Sequence, residues 1–409
     1  MAGDGGADVK RWWADLPGDL LGTVYLRSAT AYDQARFAAV CATWRAAALW
    51  HRRLPALPLL LATTGNSLRD REERAYSPED GRALRIALPW FPWGNRLVGS
   101  YDGGWIATAS SSDQLLLVNL FSGARAPLSE QQSAIVCACP LPIRRDTILT
   151  SSRRCGRALH VKKIICSTDP SSSSCILAAM TNQCSIALCR VGSNGRWTTR
   201  GCSMYIAYGH MVLEDIAFVN GELYGITHNE LFWFDISVNK DGNPVATPIR
   251  LPVIEMDALH AHPGTRYIFQ LRSNIAIAVE IWPLISLGSS AIFKVFELSD
   301  SGRRWEEVMS LDGYALFLGP ACCKAMPMPV TNVRSGVEGN RIYYSKQHSS
   351  PHNNKDCLAR LDLGSCTVYC CQSKVGRHLE RITSRGYHYE EWDGCNGCNA
   401  CMWLVPPQF

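Results

Sequence analysis

The chain has 409 residues, 47% hydrophobic and 19% charged, the profile of a folded protein with a large core or two unequal domains rather than of a long disordered segment. Its formal charge of +5, from 41 Lys+Arg against 36 Asp+Glu, is too weak over so much surface to imply a nucleic-acid partner. The 18 cysteines come with no secretory signal and no Asn-x-Ser/Thr sequon. The expected compartment is therefore nucleus or cytoplasm, with most thiols reduced and buried as small hydrophobes.

Residues 12–55 have a helical texture unlike the rest. Pro17 and Asp19 suit the first turn of a helix, the one by its fixed φ, the other by its charge at the positive end of the helix dipole. Leu16, Leu20, Leu21 and Val24 line one face of that helix. Thr30 and Asp33 resemble a capping box opening a second helix, with Phe37, Val40, Cys41 and Trp44 at i, i+3, i+4 and i+7. Thr43 is expected to cap a third helix that ends before Pro55. Three helices this short cannot bury all their apolar side chains, and a bare apolar stripe marks a partner site.

Asp15-Leu16-Pro17-Gly18-Asp19-Leu20-Leu21, then Asp33, Arg36, Val40-Cys41 and Trp44-Arg45, resembles the F-box in order and spacing. The resemblance implies binding to a Skp-type adaptor, and through it to a cullin and a RING subunit. It places Leu16, Pro17, Leu20, Leu21 and Val24 against the adaptor, with Val40, Cys41 and Trp44 contributing or bracing the helices. The bland alternative is that these side chains are the module's own core.

Residues 56–82 read as a linker and lead-in to a β domain spanning 83–409. There, short β-rich runs alternate with turn signals. Gly104-Trp105-Ile106-Ala107-Thr108 and Leu115-Leu116-Leu117-Val118-Asn119-Leu120 flank a polar turn at 111–113. Leu223-Tyr224-Gly225-Ile226-Thr227 and Leu231-Phe232-Trp233-Phe234-Asp235-Ile236 repeat that pattern, and so do Arg341-Ile342-Tyr343-Tyr344-Ser345 and Leu358-Ala359-Arg360-Leu361-Asp362-Leu363. Asp102-Gly103, Asn220-Gly221 and Gly339-Asn340 precede these units as tight turns. A second pattern, 186–191 before Trp197 and 293–298 before Trp305, reads as a hairpin whose Trp returns to the sheet. The apolar stretch 275–293 is broken by Glu280, Pro283 and Gly288, and reads as two strands rather than a membrane span. Five hairpin units at such intervals are expected from a β-propeller of five to seven blades, making the chain α+β as a whole; a β-sandwich is the other architecture such strands allow.

Leu311-Asp312-Gly313-Tyr314-Ala315-Leu316-Phe317-Leu318-Gly319, Asn340-Arg341-Ile342-Tyr343-Tyr344 and Trp403-Leu404-Val405-Pro406 resemble the plant F-box group whose C-terminal half is the domain-of-unknown-function-295, related to kelch-type propellers. That resemblance implies a propeller and a nuclear or cytoplasmic ubiquitin-ligase role, and names no target.

No catalytic or cofactor motif stands out, so neither catalytic residues nor cofactors are expected. Glu306-Glu307 and Glu390-Glu391 are adjacent, and on a strand would face opposite sides. Cys395-x-x-Cys398-x-x-Cys401 has chelating spacing, and Cys370, Cys371 or His388 would have to complete a zinc site; a glycine- and asparagine-rich loop with incidental thiols is the default reading. Trp90, Phe91 and Trp93 are either interface anchors or packing between blades. The function these features point to is a bridge, with the F-box bringing the ligase and the propeller an unknown target protein, without nucleic acid or membrane. A degenerate F-box protein acting as an interaction module, and a propeller enzyme, are the alternatives.

Overall fold

The computed structural model describes residues 13, 16–28, 31–50, 57–64, 72–77, 82–85, 96–109, 114–134, 161–181, 185–193, 195–201, 213–228, 230–253, 265–281, 292–299, 301–302, 304–328, 337, 339–344, 369–371, 379–381 and 401–406. Three helices open the chain: α1 (Gly18–Arg27), α2 (Ala31–Ala39) and α3 (Ala42–Trp50). Pro17 stands at the N-cap of α1, and Asp19 and Arg27 sit in its first and last turns, each with the charge the dipole favours. Two expectations for this region change. The run Phe37–Trp44 is not one helical stripe, because the chain turns at Val40 and Cys41, where Val40 N donates to Phe37 O. Thr43 lies inside α3 rather than capping it. Thr30 lies outside the described residues.

Among the described residues, the rest of the chain forms six sheets set in a ring. Blade I holds β1 (Leu59–Thr64), β2 (Glu72–Ser77) and β3 (Arg82–Arg85), so 56–82 supplies two strands of the first blade rather than only a lead-in. Blade II holds β4 (Arg96–Tyr101), β5 (Trp105–Ala109) and β6 (Leu115–Asn119), followed by a short helix α4 (Glu130–Ser133). Blade III is β7 (Val161–Cys166), β8 (Ile176–Thr181), β9 (Ser185–Arg190) and β10 (Thr198–Gly201). Blade IV is β11 (Asp215–Val219), β12 (Glu222–Ile226), β13 (Leu231–Val238) and β14 (Pro244–Leu251). Blade V is β15 (Arg266–Leu271), β16 (Asn274–Ile281), β17 (Ile292–Leu298) and β18 (Trp305–Glu307). Blade VI is β19 (Tyr314–Leu318), β20 (Lys324–Pro327), β21 (Arg341–Tyr344), β22 (Tyr369–Cys371) and β23 (Leu379–Arg381). The last strand, β24 (Cys401–Leu404), returns to pair antiparallel with β1, with Leu60 opposite Trp403.

Within blades II to V the strands are antiparallel meanders, as the hairpin patterns predict: β5 pairs β6, β12 pairs β13, β9 pairs β10, and β17 pairs β18. Asn220 (φ 51°) and Gly221 (φ 84°) make the two-residue turn between β11 and β12, both in the left-handed region that such turns need. Gly339-Asn340 behaves differently from a hairpin turn. β21 runs parallel to β19, and Asn340 Oδ1 accepts from Gly313 N at 3.2 Å, tying this crossover to the preceding turn. The partner strand expected at 358–363 lies outside the described residues.

Edge strands β24, β4, β7, β11, β15 and β20 lie next to one another in that order and so line the axis. They crowd closely: a Cβ at Gly99 on β4 would come 2.0 Å from Ile164 O on β7, so only glycine fits there. Between neighbouring blades lie apolar layers, for instance Ile216, Leu223 and Phe234 of blade IV against Ala178, Ile186 and Leu188 of blade III. The ring closes through Trp403, fully buried, whose Nε1 donates to Leu318 O at 3.0 Å and whose ring meets Phe317 edge-on at 5.1 Å. Among the described residues no helix is long and apolar enough to cross a membrane.

Candidate functional site

The helical module has a small core of its own. Leu21, Tyr25, Phe37 and Ala48 are buried together, with Leu16, Trp44, Ala38 and Ala47 packed around them. Tyr25 meets Phe37 edge-on at 5.4 Å, and Phe37 lies 4.4 Å from Trp44. Trp44 Nε1 donates to Trp13 O at 2.9 Å, which holds the segment before α1 against α3.

That core sorts the eight residues singled out from the sequence. Leu20, Val24 and Val40 are exposed, at 52%, 40% and 57%, and so is Pro17. Leu16, Cys41 and Trp44 are half-buried. Leu21 is fully buried and faces Tyr25 one turn on, so the expectation that it meets a partner is corrected: it braces the module from inside. Adjacent positions 20 and 21 diverge because successive helix residues are 100° apart, and the two-sided stripe cannot be split without knowing where α2 and α3 pack. Leu26, Leu49 and Trp50 are exposed as well, the last at 87%, and periodicity did not single them out. Large apolar side chains concentrated on so small a module form the kind of patch that a partner covers.

A second cluster, unforeseen in the sequence, lies on the axis. Lys163 on β7 and Asp215 on β11 are both buried, with Nζ 2.6 Å from Oδ1. Asp215 Oδ1 also accepts from Ile216 N at 2.8 Å, and Oδ2 from Ile268 N on β15 at 3.0 Å. Cys323, which leads into β20, places Sγ 3.7 Å from Asp215 Oδ2 and 4.0 Å from Lys163 Nζ. Blades III to VI are thus joined at one carboxylate. Burial lowers the affinity of Lys163 for its proton, but the neighbouring carboxylate outweighs this and holds the ammonium well above the ordinary lysine value. Burial pushes the Asp215 carboxyl up against the pull of Lys163. The geometry supports the ionised pair, since the carboxylate receives three N–H donors and the Cys323 thiol, and a protonated one would leave some of them unpaired. Nearby, Arg266 Nη1, fully buried, binds Glu214 Oε1 at 3.3 Å and His228 Nδ1 at 2.7 Å. These charged groups are tied to one another, an arrangement that fixes blades rather than presenting a nucleophile or base.

Of the zinc candidates, Cys395, Cys398 and His388 lie outside the described residues; Cys401 is in β24, and Cys370 and Cys371 are in β22. Among the described residues no group of three or more His, Cys, Asp or Glu is placed to hold a metal. Trp90, Phe91 and Trp93 also lie outside them.

Residues 75–370, well over half the chain, match the KIB1-4 beta-propeller family. A stretch of 53 residues, 12% of this chain and 67% of the relative, is 36% identical to the ketoisovalerate oxidoreductase subunit VorC of Methanothermobacter marburgensis. Among solved structures, YCF48 of Cyanidioschyzon merolae is similar at 12% identity and TM-score 0.33, over 59% of this chain and 64% of its own, so this chain spans less than two thirds of that relative. The Cps50 (Swd1) β-propeller domain of Myceliophteria thermophila is similar at 10% identity and TM-score 0.32, over 78% of this chain and 77% of that one. A candidate 6-phosphogluconolactonase of Bacteroides uniformis is similar at 14% identity and TM-score 0.36, over 80% and 95%. Scores this low leave those likenesses without weight for function.

Proposed function

Since the chain belongs to the KIB1-4 β-propeller family, we propose that it is the substrate-recognition subunit of an SCF-type, cullin-RING E3 ubiquitin ligase. In this reading residues 12–55 are an F-box that holds a Skp-type adaptor, and through it a cullin and a RING subunit. The propeller holds a target protein in the nucleus or cytoplasm, and the rate of ubiquitin transfer is raised by proximity rather than by side-chain chemistry in this chain. The observation that carries the reading is the state of the helical module. Its core is filled by Leu21, Tyr25, Phe37 and Ala48, yet Pro17, Leu20, Val24 and Val40 remain exposed. The resemblance of Asp15 to Arg45 to the F-box supplies the class of partner. The C-terminal resemblance to the domain-of-unknown-function-295 group favours a plant ligase of this kind. An enzyme would need reacting groups left open, and the axial charges described above are tied to one another.

The test is capture of the Skp-type adaptor by tagged full-length protein carrying Leu20→Asp and Val24→Asp. Each substitution puts a charge where the adaptor would exclude water, and the double variant is expected to lose at least about a hundredfold in affinity. Undiminished adaptor binding by a folded double variant would sink the assignment of this surface. Failure of the unmodified chain to bind any Skp-type adaptor would leave a propeller interaction module outside the ligase.

A further inference from the structure

Blade IV leans away from blade V toward the rim of the ring. Its outermost strand, β14, packs against β9 and β10 of blade III, whereas β11 and β12 are the strands that meet β15 of blade V. Strands β13 and β14 run for eight residues each, and the outermost strand of blade V, β18, for only three. The outer half of the blade IV face that looks toward blade V is therefore uncovered. Register fixes what lies on it. Tyr224, packed in the layer shared with blade V, is opposite Trp233, and Trp233 is opposite Ile249, so the three make one row across the sheet. Tyr224 and Trp233 are half-buried, and Ile249 is exposed.

Side chains two apart on a strand share a face, so Glu222, Asp235 and Thr247 form a second row beside the first. All three are exposed. Tyr224 Oη donates to Glu222 Oε2 at 2.6 Å, and among the described residues no cation pairs with Glu222 or Asp235. On the blade V wall, Glu307 lies opposite Phe296 and is paired with Lys294, Nζ to Oε1 at 3.5 Å, so that side adds no net charge. Trp305 enters the same layer from β18, only 6% exposed, and its indole N–H has no acceptor among the described residues. Its counterpart in blade III, Trp197, donates to Gln132 O at 2.7 Å. That carbonyl belongs to a segment seated between blades II and III, where Ala126 N donates to Leu117 O and Gln132 Nε2 to Arg190 O.

We propose that the groove between blades IV and V docks an extended, arginine-bearing segment of the target protein. This rests on the reading of the propeller as the part that holds a target. A guanidinium laid over Trp233 gains from the negative face of the indole, and its fork of donors reaches the carboxylates of Asp235 and Glu222. Ile249 and Tyr224 offer apolar ground to the side chains on either side of that arginine. A backbone carbonyl of the segment is the acceptor that the Trp305 indole lacks, as Gln132 O is for Trp197. A glutamate in the same place meets two like charges and is refused.

The experiment probes the full-length protein with a positional-scanning array of octapeptides, each position fixed in turn as each amino acid while the others are mixed. At one position or more, arginine is expected to bind at least about tenfold better than glutamate or leucine, an advantage that shrinks as salt is raised. Asp235→Lys, at an exposed site, should abolish or reverse the preference. Glu306→Lys makes the same change of net charge on the opposite face of β18 and should leave the preference unchanged. The proposal is overturned if the unmodified protein shows no preference for arginine, if Asp235→Lys keeps it, or if the two variants lose it equally. Adaptor capture by the same samples separates the two readings. No arginine preference in a chain that still captures the adaptor sinks the groove alone, and an arginine preference without adaptor capture sinks the ligase reading alone.

Discussion

At the scale of single residues, the axial pair is where one side chain matters most to the propeller. Replacing Lys163 by Met removes the ammonium and leaves a buried carboxylate whose remaining donors are two backbone N–H groups and the Cys323 thiol. Loss of one partner from a buried pair costs on the order of 3–5 kcal/mol. The double variant Lys163→Met, Asp215→Leu should recover a large part of that loss, because an apolar pair of similar volume removes the uncompensated charge. Urea unfolding of the single and double variants measures this directly, and a double variant no more stable than Lys163→Met would show that the backbone bonds to Asp215, not the charge pair, hold this point. The sequence carries little trace of the pair. Lys163 and Asp215 are 52 positions apart, and each reads as an ordinary charge beside a β-strand until blades III and IV are set side by side.

At the scale of elements, α1 presents one face to its own core and another to solvent. Leu20→Asp and Val24→Asp change exposed positions and should alter stability by only about 0.5 kcal/mol each while affecting partner binding. Leu21→Asp places a charge in the core formed with Tyr25, Phe37 and Ala48, and should unfold the module at a cost above about 3 kcal/mol. Limited proteolysis followed over 16–50 separates the outcomes: rapid cleavage is expected for Leu21→Asp alone. Periodicity was enough to find the three helices and the apolar character of α1, since both depend on neighbours three and four residues away. It was not enough to divide Leu20 from Leu21, because that division depends on the packing of α2 and α3. The hairpins behave alike: β5–β6, β9–β10, β12–β13 and β17–β18 were legible from alternation and turn residues, whereas the parallel β19–β21 pairing, which joins strands across β20, was not.

At the scale of the whole molecule, the ring depends on β24 closing against β1 and on Trp403 filling the junction of blades I, II and VI. Trp403→Ala should cost on the order of 3–5 kcal/mol by opening a cavity at this junction. It should also leave Ser100 Oγ, which donates to Trp403 O at 2.8 Å, on a less ordered strand. Thermal unfolding should then broaden or split as the ring opens before the inner blades melt, and a single unchanged transition would rule out a closing role. Alkaline pH tests the axis on the same scale. The folded-state pKa of Lys163 is raised, so its stabilisation is fully present below the ordinary lysine range and is lost as pH rises through the higher folded value. Stability by urea titration should therefore fall more steeply as pH rises above the ordinary lysine value, about 10.4, in the native sequence than in the Lys163→Met, Asp215→Leu variant, where no charge pair remains to be broken.

The sequence by itself determined what is decided over a few residues: three short amphipathic helices, strand-and-turn units in repetition, and the left-handed turn at Asn220 and Gly221. It bounded the blades at five to seven without choosing among them. Only the tertiary structure decided that the described residues form six, that Asn340 serves a crossover, that Leu21 faces inward while Leu20 does not, and that Lys163 meets Asp215 on the axis. The physical reason is common to all of these: each is settled by groups from elements far apart in the chain, whose separation in space is set by how the blades and helices pack and not by any local preference of the backbone.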